Sequence, residues 1–580
     1  MKHISTIIFI TIFLCMTAQA QVKQAHVDEN GKVYTTEIPH VQFSKNTTDK
    51  QPEPWPKSFL PDQNFKNFRG VCLEDINDDG KDEIITGIRD TIYAFSGDGT
   101  CLWKHKLSGT AIYPPSAADV DRDGDIEIFL NTGGLSGPRV YGFDHDGNIL
   151  SGWPMNFNDN WMICAPALAN VDANPDLEII TAERDTPGKL HVLHHDGSEM
   201  DGWPVALDGY PAVTPTVGRF SGDISGDWSN RIIMCSTSAM FVFKSDGSIC
   251  DGFPLVRPGV KYSYQSPLLI QSKTAEKGLD FDQFYILGAN HGDSASFFTL
   301  DTAGNMVNGY PVMTTDTSWT YGAPSIVYKE GTTGVWLNGQ PGASGDSLYP
   351  GIYYDNFWNQ GFIERYDGLE GFITSAPKNS PDDFFVFTGS NMRTTDGYGF
   401  VHAYDLHSDD PGFSMEALPG YPLMVKGFTF MNGINIGNID DDDYPELVVL
   451  SYDSNASIED STYINVFDFD ETTYDSNYTN GTYKGSNTRS GYHYWINSNI
   501  DAQPHNKELS LYPNPTDDHI YIDGCHLKKY CIYSTDGRIV QRDINHTGSH
   551  ISIHELDNGY YILKGITETG EFVTTRFVKQ

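Results

Sequence analysis

The sequence predicts an all-β protein, and three observations carry that prediction. A unit of about fifty residues recurs along most of the chain, the mark of a repeat architecture. Each unit reads as short apolar runs separated by Asp, Gly and Pro turns. The 580 residues include 56 Gly and 31 Pro, a supply of turn formers that suits many short strands. Hydrophobic content of 39% and aromatic content of 13% are enough for a folded core.

The unit at Ala165 shows the pattern most fully. Ala165-Pro166-Ala167-Leu168-Ala169-Asn170-Val171-Asp172 leads to Leu177-Glu178-Ile179-Ile180-Thr181, then Leu190 to Gly197, then Gly202-Trp203-Pro204-Val205. An Asp-Gly turn recurs at Asp98-Gly99, Asp146-Gly147, Asp196-Gly197 and Asp246-Gly247, and degenerates to Ala303-Gly304. An aromatic–Pro pair recurs at Trp153-Pro154, Trp203-Pro204, Phe253-Pro254, Tyr310-Pro311 and Tyr421-Pro422. Units begin near residues 70, 114, 165, 214, 266, 323, 375 and 432. Four-stranded units at this period stack radially, because one alone cannot bury both faces. The expected architecture is an eight-bladed β-propeller; the degenerate units near 323 and 375 leave seven blades as the alternative. Trp55-Pro56 precedes the first full unit, and the last unit, after Tyr463 to Phe469, has no aromatic–Pro pair of its own. The segment around Trp55 should therefore be the outer strand of the last blade and close the ring.

The ends of the chain read differently. Met1-Lys2, the apolar run Ile7 to Met16 and Ala18-Gln19-Ala20 form a secretory signal peptide over residues 1–20. Leu14 is bulky where a lipoprotein needs a small residue before Cys15. The apolar run is too short to span a bilayer, and no other stretch is long enough, so no transmembrane segment is expected. Residues 21–50 are an N-terminal extension, 51–496 the repeat region, 497–506 a polar linker and 507–580 a separate C-terminal domain. Beyond Cys15 the cysteines are Cys72, Cys101, Cys164, Cys235, Cys250, Cys525 and Cys531, with no CxxC pair, which disfavours zinc or iron–sulfur frameworks. Cys525 and Cys531 either bridge each other or stay as thiols.

Four units carry an acidic loop between their first two strands. The loops are Asp75 to Glu83, Asp119 to Glu127, Asn170 to Glu178 and Asn438 to Glu446. Oxygen side chains stand at positions 1, 3, 5 and 9: Asp75, Asn77, Asp79 and Glu83; Asp119, Asp121, Asp123 and Glu127; Asn170, Asp172, Asn174 and Glu178; Asn438, Asp440, Asp442 and Glu446. Position 7, occupied by Lys81, Asp125, Asp176 and Tyr444, offers a backbone carbonyl. Calcium takes six to eight hard oxygen ligands, and alternate residues of a tight loop turn theirs to one centre. Liganding carboxylates number three, four, two and three, so calcium should bind tightest at Asp119 and weakest at Asn170. The matching stretches near Gly218, Ile270, Val327 and Asn379 lack the series.

These loops and their flanking apolar strands resemble FG-GAP/VCBS repeats, the calcium-loop propeller units also found in integrin alpha chains. The resemblance covers roughly residues 50–495, though position 9 is Glu here where that family often has Asp. Tyr483-Lys484-Gly485-Ser486-Asn487-Thr488-Arg489-Ser490-Gly491-Tyr492 resembles the closing motif of bacterial propellers of this kind.

Past the linker, short alternating runs at His519 to Ile522, Tyr530 to Tyr533, Ile551 to Ile553, Tyr560 to Lys564 and Phe572 to Val578 predict a small β-sandwich. The domain resembles the type A sorting domain of the type IX secretion system of Bacteroidetes. The matching residues are Tyr512-Pro513-Asn514-Pro515, Ser534-Thr535-Asp536-Gly537-Arg538, Leu556-Asp557-Asn558-Gly559-Tyr560-Tyr561 and the ending Thr575-Arg576-Phe577-Val578-Lys579. The resemblance implies passage through the periplasm, recognition of residues 507–580 by the outer-membrane machinery, and an extracellular or outer-membrane surface location.

No catalytic constellation is expected. His191, His194 and His195 lie on one predicted strand, where alternation sends His194 to the opposite face from the other two. No Gly-x-Ser-x-Gly elbow, HExxH helix or P-loop is present. The aromatic–Pro residues suit blade packing better than a sugar-stacking ladder. The leading expectation is a secreted, calcium-stabilised propeller that binds a protein or glycan partner. The alternative is an extracellular polysaccharide lyase of the rhamnogalacturonan-lyase kind using calcium. The net charge of −39 disfavours nucleic acid and anionic lipid as partners.

Overall fold

The computed structural model describes strands 22–27 and 33–38 and most of residues 51–494 and 507–580. Within those spans, residues 61–66, 134–137, 158–161, 173, 221–229, 263–264, 272–283, 293–295, 308–311, 314–323, 328–334, 340–351, 356–359, 364–370, 379–383, 410–411, 454–460, 475–478, 509–510, 517, 523–526, 535–538, 544–549, 555, 557 and 568–571 are outside the description. The signal segment, the linker, Cys525 and the Tyr310-Pro311 pair therefore lie outside the described residues.

The protein is all-β: among the described residues the regular elements are strands and one short 3-10 turn, Tyr483–Gly485. The third unit shows how sequence becomes sheet. Its strands Ala167–Ala169, Glu178–Glu183, Gly188–Leu193 and Val205–Leu207 form an antiparallel meander, with Leu168 opposite Ile179, Ile180 opposite Val192 and Leu190 opposite Val205. The Ile- and Val-rich middle strands are buried on both faces. They therefore read as apolar runs rather than alternations. The Asp-Gly turn follows, with the Ser198 N–H donating to Asp196 Oδ1 (2.9 Å) and Gly197 at φ 83°. The unit near 323, degenerate in sequence, keeps the same order: Ser325–Val327, Val335–Gly339, Ile352–Asp355 and Gln360–Ile363 form one four-stranded sheet.

Indole rings fasten successive units at a constant spacing. Nε1 of Trp55, Trp103, Trp153 and Trp203 donates to the carbonyl of Gly97, His145, His195 and Ser245, each 42 residues ahead, at 2.8–2.9 Å. Each acceptor immediately precedes an Asp-Gly turn. Trp55, Trp153 and Trp203 are 4–7% exposed, so the aromatic–Pro residues pack between units. Trp103 lies so close over Gly147 that a Cβ there would come within 2.4 Å of the ring.

Strand Lys57–Phe59 pairs antiparallel with Thr462–Asp468, placing Lys57 opposite Ile464. The first described strands of the chain, Val22–Val27 and Val33–Ile38, form a hairpin that joins the strand Phe384–Thr394. Residues 480–494 then run past the first strand of unit after unit. Asn480 exchanges backbone bonds with Ser375 (2.9 and 3.0 Å), and the Gly481 carbonyl accepts from Ile436. The carbonyls of Asn487, Thr488, Ser490 and Gly491 accept from Ala117, Leu168, Val217 and Leu269 in turn, at 2.8–3.1 Å. Tyr492–Tyr494 adds a parallel strand to Leu268–Gln271. The Asn480 Nδ2 donates to Ser325 Oγ and the Ile326 carbonyl, and Arg489 Nη2 to the carbonyls of Val71 and Pro115. One short segment thus bonds to the opening of all eight sequence units.

Residues 507–580 form two sheets. One holds Lys507–Glu508, Phe572–Lys579, Gly559–Thr567, Leu527–Ser534 and Ile539–Asp543; the other holds Leu511–Tyr512, His519–Ile522 and Ile551–Ser552. Ile520, Ile532, Ile551, Ile553, Leu563 and Phe577 form their shared core. The domain's two end motifs hold each other: Asn514 Nδ2 donates to the Arg576 carbonyl, and the Val578 N–H donates to Asn514 Oδ1, both at 3.0 Å.

Candidate functional site: the acidic loops

All four acidic loops are built on one frame. In each, the position-9 glutamate opens the second strand, is 1–5% exposed, and accepts the position-2 N–H on its Oε2. The bonds are Ile76 to Glu83 (3.0 Å), Val120 to Glu127 (2.9 Å), Val171 to Glu178 (2.8 Å) and Ile439 to Glu446 (2.7 Å). This carboxylate ties the loop's start to its end. Burial pushes the glutamates up, to about 7 at Glu83, Glu127 and Glu178 and about 8 at Glu446, against the pull of that backbone bond.

Positions 3 and 5 cap the backbone two residues on, as Asx turns do. Asn77 and Asp79 accept from the N–H of Asp79 and Lys81, both at 3.0 Å. Asp121 and Asp123 accept from Asp123 (3.3 Å) and Asp125 (2.9 Å). Asp440 and Asp442 accept from Asp442 (2.9 Å) and Tyr444 (2.7 Å). Asp172 accepts from Asn174 (2.6 Å), whose own amide donates to Asp176 Oδ2 instead. At position 1, Asp75 and Asp119 accept the N–H of Gly80 (2.8 Å) and Gly124 (3.3 Å), while the Asn170 amide donates to the Asn174 carbonyl. Gly80 and Gly124 sit at φ 88° and 100°, the left-handed turn that returns each loop to its strand.

Three of the loops gather ligand atoms within 4.8 Å of one another: Asp119, Asp121 and Glu127; Asp172, Glu178 and His194; Asp440, Glu446 and Asp468. Asp123 and Asp442 at position 5 join none of these groups, and their carboxylates accept from the backbone. In the first loop, the Asn77 amide donates to Glu83 Oε1 (2.9 Å). Several oxygens in these loops are buried without a hydrogen bond: Asp119 Oδ1, Glu178 Oε1, Asn438 Oδ1 and Glu446 Oε1. A buried carboxylate oxygen left unpaired costs free energy that a cation would recover.

Asp468 and His194 are the ligand candidates that local spacing misses. Asp468 pairs directly with Glu446 across the hairpin, and His194 stands one step beyond the Ile179–Leu193 pair. The usable signal is the residue leaving the third strand, two places before an Asp-Gly turn in the third unit. The expected alternation of the three histidines is corrected, because the strand ends at Leu193. His194 and His195 belong to the turn, with Nδ1 atoms 3.7 Å from Glu178 Oε1 and 3.4 Å from Asp176 Oδ2. His191 is buried inside the unit between Glu183 (2.8 Å) and Glu199 (2.9 Å). Burial pulls its pKa down, but the hydrogen bonds and charges of those two carboxylates raise it on balance.

Neighbouring loops are laced together. The Asp82 N–H donates to the Asn438 carbonyl (2.7 Å), Asp82 Oδ2 accepts the Asn438 N–H (3.0 Å), and Lys81 pairs with Asp441 (2.7 Å). The Leu177 N–H donates to the Val120 carbonyl (2.8 Å), and Arg122 Nε to the Pro175 carbonyl (2.7 Å). At position 7, the Lys81 side chain serves such a contact, while Tyr444 stays 40% exposed.

Among solved structures, the chain is similar to a lectin from Burkholderia pseudomallei, at 11% identity over 62% of this chain and 99% of that one, TM-score 0.40. It is similar to a rhamnogalacturonan lyase from Bacillus licheniformis, at 11% identity over 78% and 80%, TM-score 0.39. It is also similar to the biofilm matrix protein Bap1 of V. cholerae, at 14% identity over 92% and 89%, TM-score 0.29. Likenesses this loose establish neither ligand nor activity. No curated protein matches the sequence. Among the described residues, no helix is long and apolar enough to cross a membrane. Residues 510–580 match the family model of the secretion system C-terminal sorting domain, so the chain carries a type IX sorting tail that engages the secretion machinery and directs it to the cell surface or beyond.

Proposed function

We propose that the protein is an exported, calcium-stabilised β-propeller of the FG-GAP/VCBS kind, with eight blades, that binds a protein or glycan partner outside the cell. The observation that carries the calcium reading is the repeated buried glutamate, with Glu446 Oε1 and, in a sister loop, Asp119 Oδ1 buried and unpaired. Calcium bound there would be held by the loop oxygens: Asp75, Asn77 and Glu83; Asp119, Asp121 and Glu127; Asp440, Glu446 and Asp468 in the loop that starts at Asn438. It would supply positive charge that lets these carboxylates remain ionised side by side. The propeller reading is supported by the pairing of Lys57–Phe59 with Thr462–Asp468 and by the segment 480–494 bonding to every unit in turn.

The mature protein, loaded with calcium, is screened against a glycan array and against outer-surface extracts with calcium or chelator present. Calcium-dependent retention of one glycan or protein class supports the binder. Unsaturated products from uronate polymers would move the protein to the lyase class instead.

A further inference from the structure

The third acidic loop differs from its sisters in donor chemistry. Its position-1 residue is an amide, whose Nδ2 donates to the Asn174 carbonyl, and only Asp172 and Glu178 are gathered carboxylates. The third member of the group is an imidazole, whereas the groups at Asp119 and Asp440 are carboxylates throughout. A second observation points to a ligand. Glu178 is 1% exposed, its Oε2 is taken by the Val171 N–H, and its Oε1 is buried without a hydrogen bond. That oxygen lies 3.7 Å from His194 Nδ1, too far for a hydrogen bond and suited to two ligands of one ion.

We propose that this loop binds a first-row transition-metal dication of the zinc class, through Asp172, Glu178 Oε1 and His194 Nδ1, with solvent completing the shell. Imidazole with two carboxylates suits such ions, whereas calcium calls for six or more oxygens. The inference uses the loop frame shared with the calcium reading, but not calcium occupancy elsewhere.

The test uses the full mature chain, stripped with chelator and titrated with Co²⁺ as the spectroscopic probe. One equivalent should develop visible ligand-field bands that Zn²⁺ abolishes and equimolar Ca²⁺ does not. His194→Ala should weaken Co²⁺ binding at least ~10-fold, a loss of the order seen for disturbed metal shells. His195→Ala should leave it unchanged. Both positions lie in a partly exposed turn, and an unaltered thermal midpoint confirms folding of each variant. Absence of the bands, equal affinity in His194→Ala, a drop confined to His195→Ala, or ready displacement by Ca²⁺ would overturn the proposal. Calcium titration of Asp121→Ala reports on the calcium reading separately, so either can fail alone.

Discussion

The same units are held in two ways. Toward residues 480–494 they are joined by hydrogen bonds, mostly to backbone carbonyls, that reach every sequence unit; the acidic loops are present in only four. The inner joint is held by buried cationic side chains as well as by backbone. Arg489, fully buried, spends its Nη1 on the carbonyls of Tyr483 and Ser486 and its Nη2 on those of Val71 and Pro115. Lys484, also buried, donates to the carbonyls of Thr214 and Pro215 and to Thr216 Oγ1. Both joints leave buried polar atoms without a hydrogen bond, Asn480 Oδ1, Asn487 Oδ1 and Arg489 Nε in the inner segment and Asp119 Oδ1, Glu178 Oε1, Asn438 Oδ1 and Glu446 Oε1 at the loops, but only the loops leave carboxylate oxygens that a cation could satisfy. If the loops bind calcium as proposed, the first joint sets the fold and the second is the one that metal tunes.

The largest test of that contrast is Arg489→Met. It strands several buried carbonyls, each worth about 1–3 kcal/mol, so stability should fall by about 3 kcal/mol or more with or without calcium. The measurement is denaturant unfolding; a loss under about 1 kcal/mol would break the contrast. Chelation comes next. With calcium at about a hundred times its Kd, removal should cost about 2.7 kcal/mol. Hydrogen exchange should then quicken in the loops at Asp75, Asp119 and Asn438 but not in the units from Thr216 to Ala417.

His191→Gln is smaller and independent of both joints. It removes a buried histidine held by two carboxylates, at a cost of about 1–3 kcal/mol. Because the folded pKa is raised, this contribution is complete below the ordinary histidine value and fades as pH rises through the folded one. The difference from wild type should therefore narrow from pH 6 to pH 9 in thermal melts. The smallest effect is at Lys81, whose partner Asp441 is largely exposed. Lys81→Met should leave the melting midpoint unmoved, and a clear drop would mean the loops carry more of the fold than the inner segment does.

What was legible in the sequence was local. The acidic loops announce themselves because ligand spacing, turn glycine and following strand lie within nine residues, and the Asp-Gly turns recur at a fixed period. The sorting tail was legible for the same reason. Tyr483 to Tyr492 stood out as a closing motif, but its bonding to unit after unit was not legible, because backbone carbonyls make many of those contacts and carry no residue signature. Asp468 and His194 escaped because they meet their glutamates across a hairpin, a relation that needs register rather than spacing. The histidine run misled because the Asp-Gly turn starts sooner than alternation assumes, ending the strand at Leu193.

The pairing of Lys57–Phe59 with Thr462–Asp468 has a consequence for the order of folding. These partners lie some four hundred residues apart, and the entropy of bringing such distant segments together must be met before their bonds form. The pairing should therefore be a late event in folding. Pulse-labelling hydrogen exchange should find Lys57–Phe59 among the last strands to gain protection.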